Sequence, residues 1–136
     1  MRKLLSYLFA LVLVFSIGLT GCSSNTASSA NGLTGNYQQD TLALISSLRE
    51  AINLPSDAPE KSASEAEAKQ IINKFASRYR RDNSVATLSS FTTIRTALNA
   101  LAGHYSSYPN RPIPQKLKTR LEQEFKQAEA ALRRES

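Results

Sequence analysis

A chain of 136 residues with 17 Lys and Arg against 11 Asp and Glu, a formal charge of +6 at pH 7, has room for one small domain. One histidine and one cysteine exclude an intramolecular disulfide, leave no set of His and Cys ligands for zinc, and supply no base–nucleophile set for a hydrolase. The positive excess is too slight to argue for nucleic acid and points instead to an acidic partner surface or anionic headgroups.

Arg2 and Lys3 precede an apolar run from Leu4 to Leu19. It falls short of the roughly 20 residues that a spanning helix needs, and small residues follow it, the pattern of a secretory signal. The run closes on Leu19-Thr20-Gly21-Cys22, which resembles the lipobox of bacterial lipoproteins. That resemblance implies a diacylglyceryl group on the Cys22 sulfur, cleavage before Cys22 and acylation of the new amino terminus. The alternative is an ordinary secretory signal with a stray cysteine. Residues 1–21 are therefore expected as a cleaved lipoprotein signal and 22–33 as a lipidated, flexible tether, leaving residues 34–136 as the folded domain. Ser23 to Asn31 carries no charge and is rich in Ser, Ala and Asn. From Ser23 to Leu33, 11 residues, such a tether spans about 18 Å on average, taking ~5–6 Å × √n, and two or more acyl chains hold a protein stably where one does not.

Four amphipathic stretches follow. The first helix is expected from about Asn36 to Asn53, with Tyr37, Thr41, Leu44, Ile45, Leu48 and Ile52 on its inner stripe and Asn36 with Gln39 as a cap pair. Leu54-Pro55 stops it, because a residue before proline avoids helical dihedrals. The second is expected to open on a Ser62–Glu65 capping box and run to about Arg81, with Ala68, Ile71, Ile72, Phe75 and Tyr79 inside. Acids at its start and Lys74, Arg78, Arg80 and Arg81 at its end match the helix dipole; the same arginines are also suited to contacting a partner. Asp82-Asn83-Ser84 opens a short link.

The third helix, expected to be capped near Ser89 or Ser90 and to end near Ser107, has Phe91, Ile94, Leu98, Leu101, Ala102 and Tyr105 at helical spacing. Between Ser89 and Pro109 the only permanently charged residue is Arg95. Depletion of charge beside aromatics marks the centre of a protein interface; it equally suits a central helix covered by its neighbours. Tyr108 to Pro114 cannot continue the helix, since Pro109, Pro112 and Pro114 lack amide donors. This stiff loop carries Tyr108 and Arg111, residue types that anchor interfaces. The fourth helix is expected from Pro114, a suitable first-turn residue, to about Arg134, with Leu117, Leu121, Phe125, Ala128 and Leu132 inside. Lys116, Lys118 and Arg120 crowd the positive end of its dipole with no acid before Glu122, a local cost of a few tenths to about 1 kcal/mol per charge.

Short links between four such helices fit an all-α, up-down-up-down four-helix bundle. His104 reads as a partly covered helix residue, and Glu122 and Glu124 fall on different sides of their helix. No glycine-rich phosphate loop or metalloprotease motif occurs. No enzyme activity and no cofactor or metal is expected.

From Leu33 to Glu135 the chain closely resembles the cyanobacterial family of small photosystem II assembly and repair lipoproteins, numbered twenty-seven among the Psb proteins. The most specific pieces are Tyr37-Gln-Gln-Asp-Thr41, Leu48-Arg-Glu-Ala-Ile-Asn-Leu-Pro55, Phe75-Ala-Ser-Arg-Tyr-Arg-Arg-Asp82, and Ser89 through Pro114. The resemblance implies a bundle anchored by lipid to the lumenal face of the thylakoid membrane and monomeric when free. It implies transient binding to photosystem II intermediates before the manganese cluster is complete, through the lumenal loop of an inner chlorophyll-binding antenna subunit, with no enzymatic activity and no bound cofactor. It does not assign contact residues. The charge arguments single out Arg78, Arg81, Arg95, Tyr108 and Arg111. The alternative is a lipid-anchored structural bundle whose basic end rests on anionic membrane lipid.

Overall fold

The computed structural model describes residues 33–136. The expected signal, Cys22 and all of the tether except Leu33 lie outside the described residues.

Helix α1, Tyr37–Asn53, begins as its sequence dictates. The Asn36 side-chain oxygen accepts from the Gln39 amide at 3.0 Å, satisfying one of the donors a helix start leaves free. It ends where Leu54 turns extended ahead of Pro55. Helix α2, Lys61–Tyr79, departs from expectation at both ends. The Ser62–Glu65 box does not form, because the helix starts two residues early and Ser62 already lies inside it. Glu65 turns inward instead, is buried, and pairs with Lys69 at 3.3 Å. At the other end α2 stops at Tyr79 rather than near Arg81. Asp82 then caps a single helical turn, α3, Asn83–Ala86, accepting from the Ser84 amide at 3.0 Å and the Ser84 hydroxyl at 2.5 Å. Helix α4, Ser89–Ser107, has Leu88 at its cap position and no local side-chain cap. Helix α5, Gln115–Glu135, places Pro114 at the cap rather than in the first turn.

The long helices pack in a ring, α1 on α2, α2 on α4, α4 on α5 and α5 on α1, the expected four-helix bundle. Among the described residues there is no strand. Ile45, Leu48, Ile94, Leu101, Leu121 and Phe125 fill its axis and are fully buried. Ala97 and Ala131 join them, letting α4 and α5 approach closely. Ile71, Ala102 and Leu117 are only partly covered, because the stripe they were read from is wider than the seam it fills. Arg49 of α1 bridges to α5. Its guanidinium meets Glu129 at 2.9 Å and Glu122 at 2.8 Å, and lies 5.8 Å from the Phe125 ring centre.

One end, the root end, gathers the start of α1, the end of α2, the start of α4 and the end of α5. Tyr37, Phe75, Tyr79 and Phe91 form its aromatic cluster, with ring centres 4.9–6.4 Å apart. Within it Asp40 is buried and accepts from the Tyr79 hydroxyl, from the Thr34 amide and hydroxyl, both at 2.7 Å, and from the Gly35 amide at 3.1 Å. The segment entering the bundle is thus tied to α2 through a single carboxylate. Gly35 makes the required turn at φ +86°, a region that costs other residues about 1–2 kcal/mol. The same end is stitched to the C-terminus. Glu135 accepts from the Ser90 amide at 3.0 Å and its hydroxyl at 2.5 Å, supplying from α5 the cap that α4 lacks, while Tyr37 and Ser90 share a 2.7 Å hydrogen bond.

Candidate docking surfaces

Three surfaces carry features that packing does not consume. The first is the root end. Arg78 is half exposed, sits 3.7 Å from Asp82 and lies over the Tyr79 ring at 5.1 Å. Arg80, Arg81, Arg133 and Arg134 are exposed and stand outside the ion pairs formed among the described residues. Some of the arginine charge therefore serves the helix end, as its dipole favours, and the rest faces outward.

The second surface is the outer face of α4. Thr92, Arg95, Thr96, Asn99, Gly103 and Ser106 form an exposed stripe along it. The Thr96 hydroxyl donates to the Thr92 carbonyl at 3.0 Å and the Thr92 hydroxyl to the Leu88 carbonyl at 3.4 Å. Both hydroxyls are turned back on carbonyls of their own helix. The expectation of a helix covered all round by its neighbours does not hold. Its apolar face is buried, and its uncharged face meets solvent.

The third is the loop end, where the end of α1, the start of α2, the end of α4 and the start of α5 meet. Tyr108, Pro109, Asn110 and Arg111 make a tight turn closed by the Arg111 amide donating to the Tyr108 carbonyl at 3.2 Å. Asn110 takes φ +59° there, which asparagine tolerates better than most residues. Tyr108 is 56% exposed with its ring 5.4 Å from His104. Beneath the loop lies a cavity of about 240 Å³, lined by Tyr105, Glu65, Lys61, Arg111 and Lys118 with Pro55 and Pro112 in its wall. Burial, helped by the Glu65 charge, pushes the Tyr105 phenol up to about 12. Lys69 lies 5.9 Å from the Tyr105 ring centre.

The five residues singled out from charge are therefore not one patch. Arg78 and Arg81 belong to the root end, Tyr108 and Arg111 to the loop end, and Arg95 stands between them on α4. The length of α4, 19 residues, separates the ends by about 27 Å at ~1.5 Å per residue. Sequence reasoning passed over Asp40, although its position between Tyr37 and Leu44 falls on the inner stripe. It missed the Glu135 cap on α4, for which no local signal exists. It placed Glu65 at a helix end rather than in a cavity wall. His104 is half-buried, with Nε2 shut from solvent, as a partly covered helix residue would be. Glu122 faces Arg49 across to α1 while Glu124 bonds Arg120 at 3.1 Å, so the two acids do fall on different sides. Among the described residues no group of three or more His, Cys, Asp or Glu is placed to hold a metal. Nor, among them, is any helix long and apolar enough to cross a membrane.

Fold and surfaces together define a small helical bundle whose distinctive chemistry is turned outward, on two basic ends and one uncharged flank. The chain belongs to the photosystem II Pbs27 family, whose model matches residues 4–132, in agreement with the resemblance read from its motifs. It is 59% identical over 136 residues, all of this chain and 98% of the relative, to the photosystem II assembly factor lipoprotein Psb27 of Thermosynechococcus vestitus. It is 54% identical over 134 residues, 98% of this chain and 96% of the relative, to the photosystem II lipoprotein Psb27 of Synechocystis. Among solved structures it matches the solution structure of Psb27 from cyanobacterial photosystem II, with TM-score 0.74 and 53% identity over 84% of this chain and 99% of that one.

Proposed function

We propose that this chain is a photosystem II assembly and repair factor that works by docking, without catalysis. It is held to the lumenal face of the thylakoid membrane by lipid on Cys22. It binds intermediates whose manganese cluster is incomplete, through the lumenal loop of an inner chlorophyll-binding antenna subunit. While bound, the bundle occupies space on the unfinished donor side, so its action is steric.

The observation that carries this reading is the outer face of α4. An exposed helix flank with one charge, Arg95, and two threonine hydroxyls already bonded to carbonyls of their own helix loses little hydration when a partner covers it, and charge depletion is the compositional mark of an interface core. Arg78 and Arg81 at one end, and Tyr108 and Arg111 at the other, form the rim of that footprint. The test is co-purification of the tagged full chain with photosystem II complexes isolated without their manganese cluster. Wild type is expected to co-purify, Arg78→Glu/Arg81→Glu to do so less, and Cys22→Ser to leave the membrane fraction. Failure of wild type to co-purify ends the reading; undiminished binding by the double variant removes those two arginines from it.

A second reading is supported by Arg80, Arg81, Arg133 and Arg134, gathered at the root end outside the ion pairs formed among the described residues, where the basic surface rests on anionic lipid. Flotation of a Cys22→Ser chain with vesicles decides it. Binding that rises with the anionic fraction supports that reading, and indifference to it rules it out.

A further inference from the structure

The loop end holds more positive potential than the fold needs. Up-down-up-down topology puts the N-termini of α2 and α5 at that same end, on opposite corners of the ring. Neither has a side-chain cap or an acid in its first turn; Glu60 stands at the cap position of α2 but its side chain does not bond the helix amides. Each is the positive end of a helix dipole with free amides. Lys61, Arg111 and Lys118 converge on the same cavity from α2, the proline loop and α5, and none takes part in an ion pair among the described residues. The one acid in the wall, Glu65, is already held by Lys69 at 3.3 Å. Tyr105 is 4% exposed and lines this cavity, yet its hydroxyl forms no hydrogen bond with the described residues. The Tyr105 oxygen is not among the side-chain atoms shut from solvent, so it is open to a ligand in the cavity, and three cations outnumber the single acid beside them.

We propose that this cavity receives an acidic segment of a protein partner, one carboxylate entering between Lys61, Arg111 and Lys118 and accepting from the Tyr105 hydroxyl. The inference rests on the docking role given above and adds the chemistry that one end of the footprint selects. The cavity's about 240 Å³ lies below the ~300–1,000 Å³ of sites that enclose a whole small molecule. It suits one or two side chains of a longer chain. It is concave and walled by Pro55 and Pro112, so a flat lipid surface does not reach its floor, and its rigid walls lose little entropy when filled. Arg111 offers the fork geometry that grips a carboxylate through two parallel bonds.

The experiment is an NMR titration of the full chain in mild detergent with an end-blocked peptide of alternating Glu and Gly, and with its Gln counterpart. Saturable shifts confined to Lys61, Tyr105, Arg111 and Lys118 are expected with the Glu peptide and not with the Gln peptide. Arg111→Gln and Lys118→Gln, both outside the core, are each expected to weaken binding about tenfold, as loss of one charge-assisted bond does. Tyr105→Phe, read only if its melting midpoint matches wild type, is expected to weaken it several-fold. Absence of saturation, equal binding of the Gln peptide, shifts centred on the root-end arginines, or displacement by equimolar inorganic phosphate would each overturn the proposal. Wild-type co-purification with photosystem II complexes does not enter this test, so its loss and the loss of peptide binding are separate failures.

Discussion

At Gly35 a single dihedral decides a residue's identity. A Cβ there would meet nothing within 4 Å, but φ is +86°, so Gly35→Ala is expected to cost about 1–2 kcal/mol through the backbone alone, read as a lower urea midpoint at unchanged slope. Asp40, five residues on, is the other sensitive point. Burial pushes its carboxyl up, but the hydrogen bonds from Tyr79, Thr34 and Gly35 outweigh that and hold it below its ordinary 3.8. A lowered folded-state pKa adds stability that is fully present above the unfolded value and is lost as pH falls through the folded one. The melting midpoint is therefore expected to hold between about pH 7 and 5 and to fall below about pH 4. Asp40→Asn is expected to cost about 1–3 kcal/mol at neutral pH, because the amide offers donors where donors already point. It is also expected to flatten the acid slope. An acid slope equal to wild type's would remove Asp40 from that role.

Between elements, two cross-links stand apart from the apolar core. The first turn of α4 is capped by the Glu135 carboxylate of α5, a contact that one side-chain truncation removes. Glu135→Ala is expected to cost about 1 kcal/mol and to speed amide hydrogen exchange first at Ser90 and its neighbours. Exchange that rises uniformly through the bundle would mean that the contact is not a local cap. Arg49 holds α1 to α5, and its pairing keeps the Glu129 carboxyl below its ordinary 4.5. All three partners are partly exposed, which moderates the gain. Yet Arg49→Met also removes the cation that Glu122 and Glu129 share. A loss of about 1–2 kcal/mol is expected, smaller in Glu129→Gln/Arg49→Met than the sum of its parts.

At the scale of the whole bundle, the described residues place basic groups at each end and an exposed flank with a single charge, Arg95, between them. Placing a charge on that flank distinguishes a working surface from a merely exposed one. Thr96→Lys sits in solvent and touches no core residue, so its stability is expected to stay within about 0.5 kcal/mol of wild type. Its co-purification with photosystem II complexes is expected to fall, since a buried unpaired ammonium opposes docking. Normal co-purification would move the interface off α4.

Helix existence and type were legible from spacing alone. Tyr37 through Ile52 and Leu121 through Leu132 repeat every three or four residues, and a helix must bury whatever stripe its period creates. Local stops were legible too, because Pro55, Pro109 and Pro112 act through their own rings. Local rules failed wherever a distant residue competed. The Ser62–Glu65 box lost to burial of Glu65 beside Tyr105, and α4 found its cap on Glu135 rather than in its own sequence. Whether the uncharged side of α4 was covered or bare, and that Lys61, Arg111 and Lys118 share one cavity, depend on how four helices are arranged around an axis. Spacing along a chain sets the face a side chain occupies on its own helix, while tertiary packing alone sets what stands opposite that face.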